Sequence, residues 1–149
     1  MPMISSDEKI TFKDKNGSEI IIMEDFVFTE DIRQWVDYKI SISYEYFKAS
    51  TKLYCEVGDF DYLRIGLKAL YDGGPKACHF IQNDASFGMT FSIDQFGIVN
   101  VNAELGVPSS KSKLDIFYQI DQSFIPDLIK QIDDILALAP PIIKTPSPK

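Results

Sequence analysis

Three features of this sequence predict an α+β fold: an antiparallel β-sheet meander of about seven to eight strands with two amphipathic helices packed on it. Apolar and polar residues alternate at period two through segments such as Tyr38 to Phe47, Phe87 to Asp94 and Lys113 to Ile120. These segments follow one another across short, turn-like breaks, as antiparallel neighbours do. Only Phe60 to Tyr71 and Ser123 to Ala139 repeat apolar residues at helical spacing. The pattern leaves open whether the strands form one sheet or a sandwich.

Ile10 to Asp14 and Glu19 to Met23 flank Asn16-Gly17, a pair suited to the positive φ angles of a hairpin turn. The second arm, Ile20 to Met23, is apolar without alternation, as in a strand covered on both faces. Glu24 to Asp37 mixes acids with Phe26, Phe28 and Trp35 at no regular period, which predicts loop and short irregular structure. In Tyr38 to Phe47, Ile40, Ile42, Tyr44 and Tyr46 share one face, with Lys39, Ser41, Ser43 and Glu45 opposite. Thr51 to Val57 turns Leu53, Cys55 and Val57 inward, and Lys48-Ala49-Ser50 is the predicted turn between the two strands.

The first helix is expected from Phe60 to Tyr71, with Asp59 as N-cap, Gly73 just past the end, and Phe60, Leu63, Leu67, Leu70 and Tyr71 as the buried stripe. Lys76 to Ile81, Phe87 to Asp94 and Ile98 to Leu105 read as strands, the last two joined across Gln95-Phe96-Gly97. Leu114, Ile116, Tyr118 and Ile120 mark the inner face of a final strand. The second helix begins near Ser123, whose hydroxyl can accept from a first-turn amide, tolerates Pro126 and ends by Ala139. Phe124, Leu128, Ile132, Ile135 and Leu136 form its apolar face. Residues 1–139 therefore read as a single domain, and 140–149, with Pro146 and Pro148, as a flexible Pro-rich tail.

A chain of 149 residues, 45% hydrophobic and 13% aromatic, can bury a core without staples. Its 22 Asp and Glu against 15 Lys and Arg give a net charge of −7. That field opposes direct binding to nucleic acid or to anionic membranes, and it attracts a basic protein. The first residues lack a basic region followed by an apolar one, and no apolar run reaches the ~20 residues of a spanning helix, so the expected location is cytoplasmic. Cys55 and Cys78 show no C-x-x-C spacing and read as reduced, packed thiols.

Chemistry-bearing patterns are sparse. His79 is the single histidine; Cys78 precedes it in a strand, where neighbours point to opposite faces, while Cys55 could reach it through tertiary contact. Gly73-Gly74-Pro75 follows a helix, whereas phosphate cradles precede one. Asp133-Asp134 reads as a solvated helix face. No catalytic pair stands out, so the sequence predicts no enzyme, cofactor or metal. The polar cluster that does stand out is Glu24, Asp25, Glu30, Asp31 and Asp37, interleaved with Phe28, Trp35 and Tyr38 and a single Arg33. Acids beside large aromatics suit a docking surface for a basic partner, with rim charges steering association and Trp35 as an anchor. The competing reading is a solvated connection whose aromatics turn inward.

Four pieces, Ile42-Ser43-Tyr44-Glu45-Tyr46, the helix around Leu63 to Leu70, Gly97-Ile98-Val99-Asn100-Val101, and Phe117 through Ser123 with its terminal helix, follow in an order that resembles the WapI-type immunity proteins of bacterial wall-associated polymorphic toxin systems. The resemblance spans Ile20 to Leu136. It implies a non-catalytic antidote that binds and neutralises the toxic C-terminal domain of a cognate secreted protein inside the producing cell; the net charge, read separately, fits a basic toxin such as a nuclease. It assigns no binding residues. Two other classes fit the composition: an acidic secretion chaperone, and an intracellular small-ligand binder with Tyr44, Tyr46, Phe91 and Tyr118 lining a cavity.

Overall fold

The computed structural model describes residues 3–5, 7–29, 35–82, 86–107 and 111–139. Within them the chain runs β1 (Met3–Ser5), β2 (Ile10–Lys13), β3 (Glu19–Thr29), β4 (Trp35–Tyr44), β5 (Phe47–Glu56), α1 (Val57–Tyr71), β6 (Ala77–Ile81), β7 (Phe87–Ile93), β8 (Ile98–Gly106), β9 (Lys113–Asp121), a single 3-10 turn (Gln122–Phe124) and α2 (Ile125–Leu136). The class is α+β, as expected, with the strands divided between two antiparallel sheets. The first has the order β1-β3-β4-β5 with β2 also on β3, and the second has the order β6-β7-β8-β9. β1 lies opposite Val27 to Thr29 and β2 opposite Glu19 to Met23, so together they make one interrupted edge strand. Each sheet ends in a strand that runs directly into a helix, and α1 packs against α2 and β6.

Aromatic residues join the layers. Phe60 of α1 meets Phe26 and Tyr38 of the first sheet at 5.7 and 5.4 Å and Phe80 of the second at 5.2 Å between ring centroids. Phe12 and Phe91 approach from opposite sheets at 6.3 Å. Such pairs contribute about 0.5–1.5 kcal/mol each beyond the area they bury. Gln82, buried just after β6, ties the sheets with polar bonds: its Oε1 accepts from Tyr38 Oη (3.1 Å) and its Nε2 donates to the Tyr54 carbonyl (2.7 Å). On the other side, the Thr11 amide of β2 donates to Gln131 Oε1 of α2 at 2.7 Å, satisfying a group at the sheet edge.

The hairpins at Asn16-Gly17 and Gln95-Phe96-Gly97 form as expected, with Gly17 at φ 83° and Gly97 at φ 80°. Elsewhere the structure corrects the sequence reading. Glu24 to Thr29 and Trp35 to Asp37 are strand, not loop. The β3–β4 register shifts between Glu24 and Val27, and Asp25 sits at φ 57°. This bulge inserts a residue and resets the alternation, which erased the period. The β4–β5 turn is Glu45-Tyr46, and Lys48-Ala49-Ser50 belongs to β5. Tyr46 is consequently 96% exposed rather than core. α1 begins at Val57, one turn earlier than expected, with Glu56 as N-cap; Asp59 is its third residue, and its carboxylate accepts from the Glu56 amide at 3.2 Å. At the second helix Asp121, not Ser123, is the cap: its Oδ1 accepts from the Ser123 amide at 2.8 Å and holds the 3-10 turn that starts α2. Residues 140–149, expected as a tail, lie outside the described residues.

Candidate partner-binding site

Of the acidic and aromatic residues singled out in the sequence, the outer face of the first sheet carries Asp25, Trp35 and Asp37, while Phe28 and Tyr38 turn inward to the core. Antiparallel register sets Asp37 between Val27 and Tyr54, and Lys39 between Glu24 and Lys52. Trp35, half-buried, packs on Tyr54 with ring centroids 5.7 Å apart. The bulge swings exposed Asp25 to the same side, and a groove of about 360 Å³ runs past Asp25, Val27, Asp37, Lys39, Lys52 and Tyr54. Glu24 is half-buried and 3.5 Å from Lys9 Nζ. The fold thus brings Asp25, Trp35 and Asp37 together, with Glu24 on the adjacent strand position. Glu30 and Asp31 lie outside the described residues.

The same register places Lys39 and Lys52 among the acids, so the groove is lined by opposed charges rather than by a continuous negative patch. Tyr54, 60% exposed, was missed because it alternates out of a strand whose pairing partner is set by the register. Only the register shows that it completes the aromatic pair with Trp35.

A second region lies at the tip of the β4–β5 hairpin. Glu45 occupies the turn at φ 55°, Tyr46 is 96% exposed and Phe47 57% exposed. At the base of this tip a cleft of about 430 Å³ opens between Tyr44, Glu45, the Asp14–Asn16 turn, Asn100 and the β9 residues Phe117 to Gln119. Phe117 projects into solvent at 66% exposure. Asp14 Oδ1 accepts from the Asn16 and Ser18 amides at 2.9 and 3.0 Å, and the Lys15 amide donates to the Gln119 carbonyl at 2.9 Å, joining this turn to the second sheet. Of the aromatics considered for a ligand cavity, Tyr44 and Tyr118 border this surface cleft, Phe91 is fully buried in the core, and Tyr46 points to solvent.

The groups with potential for catalysis are dispersed. His79 is exposed, with Nδ1 3.1 Å from Thr90 Oγ1, while Cys55 and Cys78 are free and buried. Burial pushes the Cys78 thiol up to about 11, and burial together with the nearby Asp59, Glu56 and Asp37 carboxylates raises that of Cys55 further. Both are therefore held as thiols and not as nucleophilic thiolates. Among the described residues no three His, Cys, Asp or Glu side chains cluster as metal ligands do. The surface can present shape, charge and aromatic contact.

No curated protein matches this chain. Among solved structures it is similar to WHY1 from Arabidopsis thaliana, at 10% identity over 93% of this chain and 86% of that one with a TM-score of 0.45. It is also similar to the plant transcriptional regulator PBF-2, at 7% identity over 93% and 84% with a TM-score of 0.47. A guide-RNA-binding protein complex bound to a guide RNA gives 7% identity over 90% of this chain and 91% of that one, again with a TM-score of 0.47. Scores and identities this low say nothing about what the present chain binds. In the comparison with protein families, the immunity protein WapI-like family matches residues 9–140.

Proposed function

The chain belongs to the immunity protein WapI-like family, and on that premise we propose that it binds and neutralises the toxic C-terminal domain of a cognate polymorphic toxin. The observation that carries this reading is the family match across residues 9–140, nearly the whole described fold. The chain acts in the cytoplasm by occupying its partner in a one-to-one complex, without cofactor or turnover. Its net charge of −7 favours a basic partner, as a nuclease would be, because phosphate-binding enzymes carry positive surface.

The docking face in this reading is the groove side of the first sheet. Trp35 and Tyr54 supply a rigid aromatic anchor, and Asp25 and Asp37 supply acceptors for arginine or lysine. Co-expression with the toxic domain encoded beside this gene tests the function. Cells carrying both are expected to survive where cells carrying the toxin alone die, and death of both contradicts the reading.

A further inference from the structure

We propose that the β4–β5 hairpin tip and the cleft at its base form an anchor for the protein partner, which seats an arginine or lysine side chain between Glu45 and the ring of Phe117. This rests on the toxin-binding reading and adds a surface that reading does not use.

The first observation is the exposure of this tip. Tyr44 and Ala49 still pack against the core, but Glu45, Tyr46, Phe47 and Lys48 beyond them are all exposed. Two-residue hairpin turns favour Gly, Asn or Asp where φ is positive. Here Glu45 takes φ 55° and Tyr46 follows it almost wholly in solvent. A strained acidic residue beside a bare aromatic is a poor solution for folding and a good one for contact, since aromatic side chains offer large contact area at low entropic cost.

The second observation is the cleft, the largest of the surface depressions described above at about 430 Å³. It is lined by the acids Asp14 and Glu45 and the aromatics Tyr44 and Phe117, with Lys15 the opposing charge. Carboxylates next to ring faces suit a cation, which gains a charge-assisted hydrogen bond and a cation–π contact in one seat. The Phe117 side of the cleft is tied down: the bond from the Lys15 amide to the Gln119 carbonyl joins the Asp14–Asn16 turn to β9, and the Asp14 carboxylate holds that turn through two amides. The acidity of the whole chain supports the same choice of occupant.

The test measures affinity for the toxic domain, by titration calorimetry, for the unaltered chain and for Tyr46→Ala, Phe117→Ala, Glu45→Gln and Glu45→Gly, with a urea unfolding midpoint for each. Tyr46→Ala and Phe117→Ala are expected to fold as the parent does and to weaken binding about tenfold or more. Glu45→Gly is the sharpest arm: it relieves the turn, so its unfolding midpoint rises while its affinity falls, an outcome a purely structural role cannot produce. Glu45→Gln keeps the turn and is expected to lose affinity with a reduced dependence on salt. Variants that fold normally and bind within about twofold of the parent overturn this inference alone. Failure of the unaltered chain to bind overturns the toxin reading and this inference with it.

Discussion

At Gly66 the first helix passes so close to β6 that an added Cβ would stand 2.5 Å from Cys78 Sγ, a separation that side chains do not tolerate. A helical glycine usually gains about 1 kcal/mol on replacement by alanine, but here overpacking of a buried thiol outweighs that gain. Gly66→Ala is expected to lower stability by about 1–3 kcal/mol, read from urea midpoints. Adding Cys78→Ala should recover part of the loss, because the obstructing sulfur is gone; additive losses would place the clash elsewhere. Neither residue announced this in the sequence, since contact between positions 66 and 78 depends on how the helix is laid against the strand. Asp121 was more legible. Its place at the junction of strand and helix was visible, although the capping role was given to Ser123. Hydrogen bonds from the Ser123 amide and hydroxyl hold its carboxyl below the ordinary value. A depressed folded-state value means that its contribution is present at neutral pH and is lost as pH falls through that value. An NMR titration should place the Asp121 midpoint below that of an unfolded peptide, and Asp121→Ala should flatten the acid limb of stability against pH. An Asp121 midpoint at or above the peptide value would contradict the capping geometry.

Among the elements, those whose alternation ran unbroken were read correctly: the faces of β7, β8 and β9, with Phe91, Val101, Ile116 and Tyr118 inward, are the faces that the structure buries. Alternation fails as a guide where the backbone itself departs from the pleat. At Asp25 the bulge shifts every later side chain of β3 to the opposite parity, so Phe26 and Phe28 point inward together with Ile21 and Met23. This hid half of β3 and the start of β4, the same stretch that carries Asp25, Trp35 and Asp37. Asp25→Gly should relax the positive φ and stabilise the chain by about 0.5–1 kcal/mol, provided the bulge persists. Destabilisation would mean that the Asp25 side chain contributes contacts beyond its conformation. The hairpin turn was misplaced for a related reason. Lys48-Ala49-Ser50 is polar enough to pass for a turn, whereas the real one uses Glu45 and Tyr46, neither of them a residue that hairpin turns favour.

For the molecule as a whole, composition and period were enough to reach the α+β class, but the division into two sheets rests on contacts distant in sequence. Phe60 meeting Phe26, Tyr38 and Phe80 is one such contact, and Gln82 meeting Tyr38 and Tyr54 is another. The distribution of charge is likewise a tertiary property. The acids of residues 24 to 37 looked like a single negative patch until strand pairing set Lys39 and Lys52 among them. In the proposed complex, steering of a basic partner would therefore rest on the summed charge of −7 more than on that face. Association with a basic toxin domain should slow about tenfold or more between low and high salt in stopped-flow mixing, while rates independent of salt would remove electrostatics from the account. The central claim is that this protein inhibits by occupying its partner and not by altering it. Titrating a fixed amount of toxic domain with the purified chain, while following toxin activity and the toxin's intact mass, tests that claim most directly. The account predicts that activity falls in proportion to added chain, reaches zero at one equivalent and leaves the toxin's mass unchanged. Activity that vanishes at a small fraction of an equivalent, or a toxin of altered mass, would contradict it.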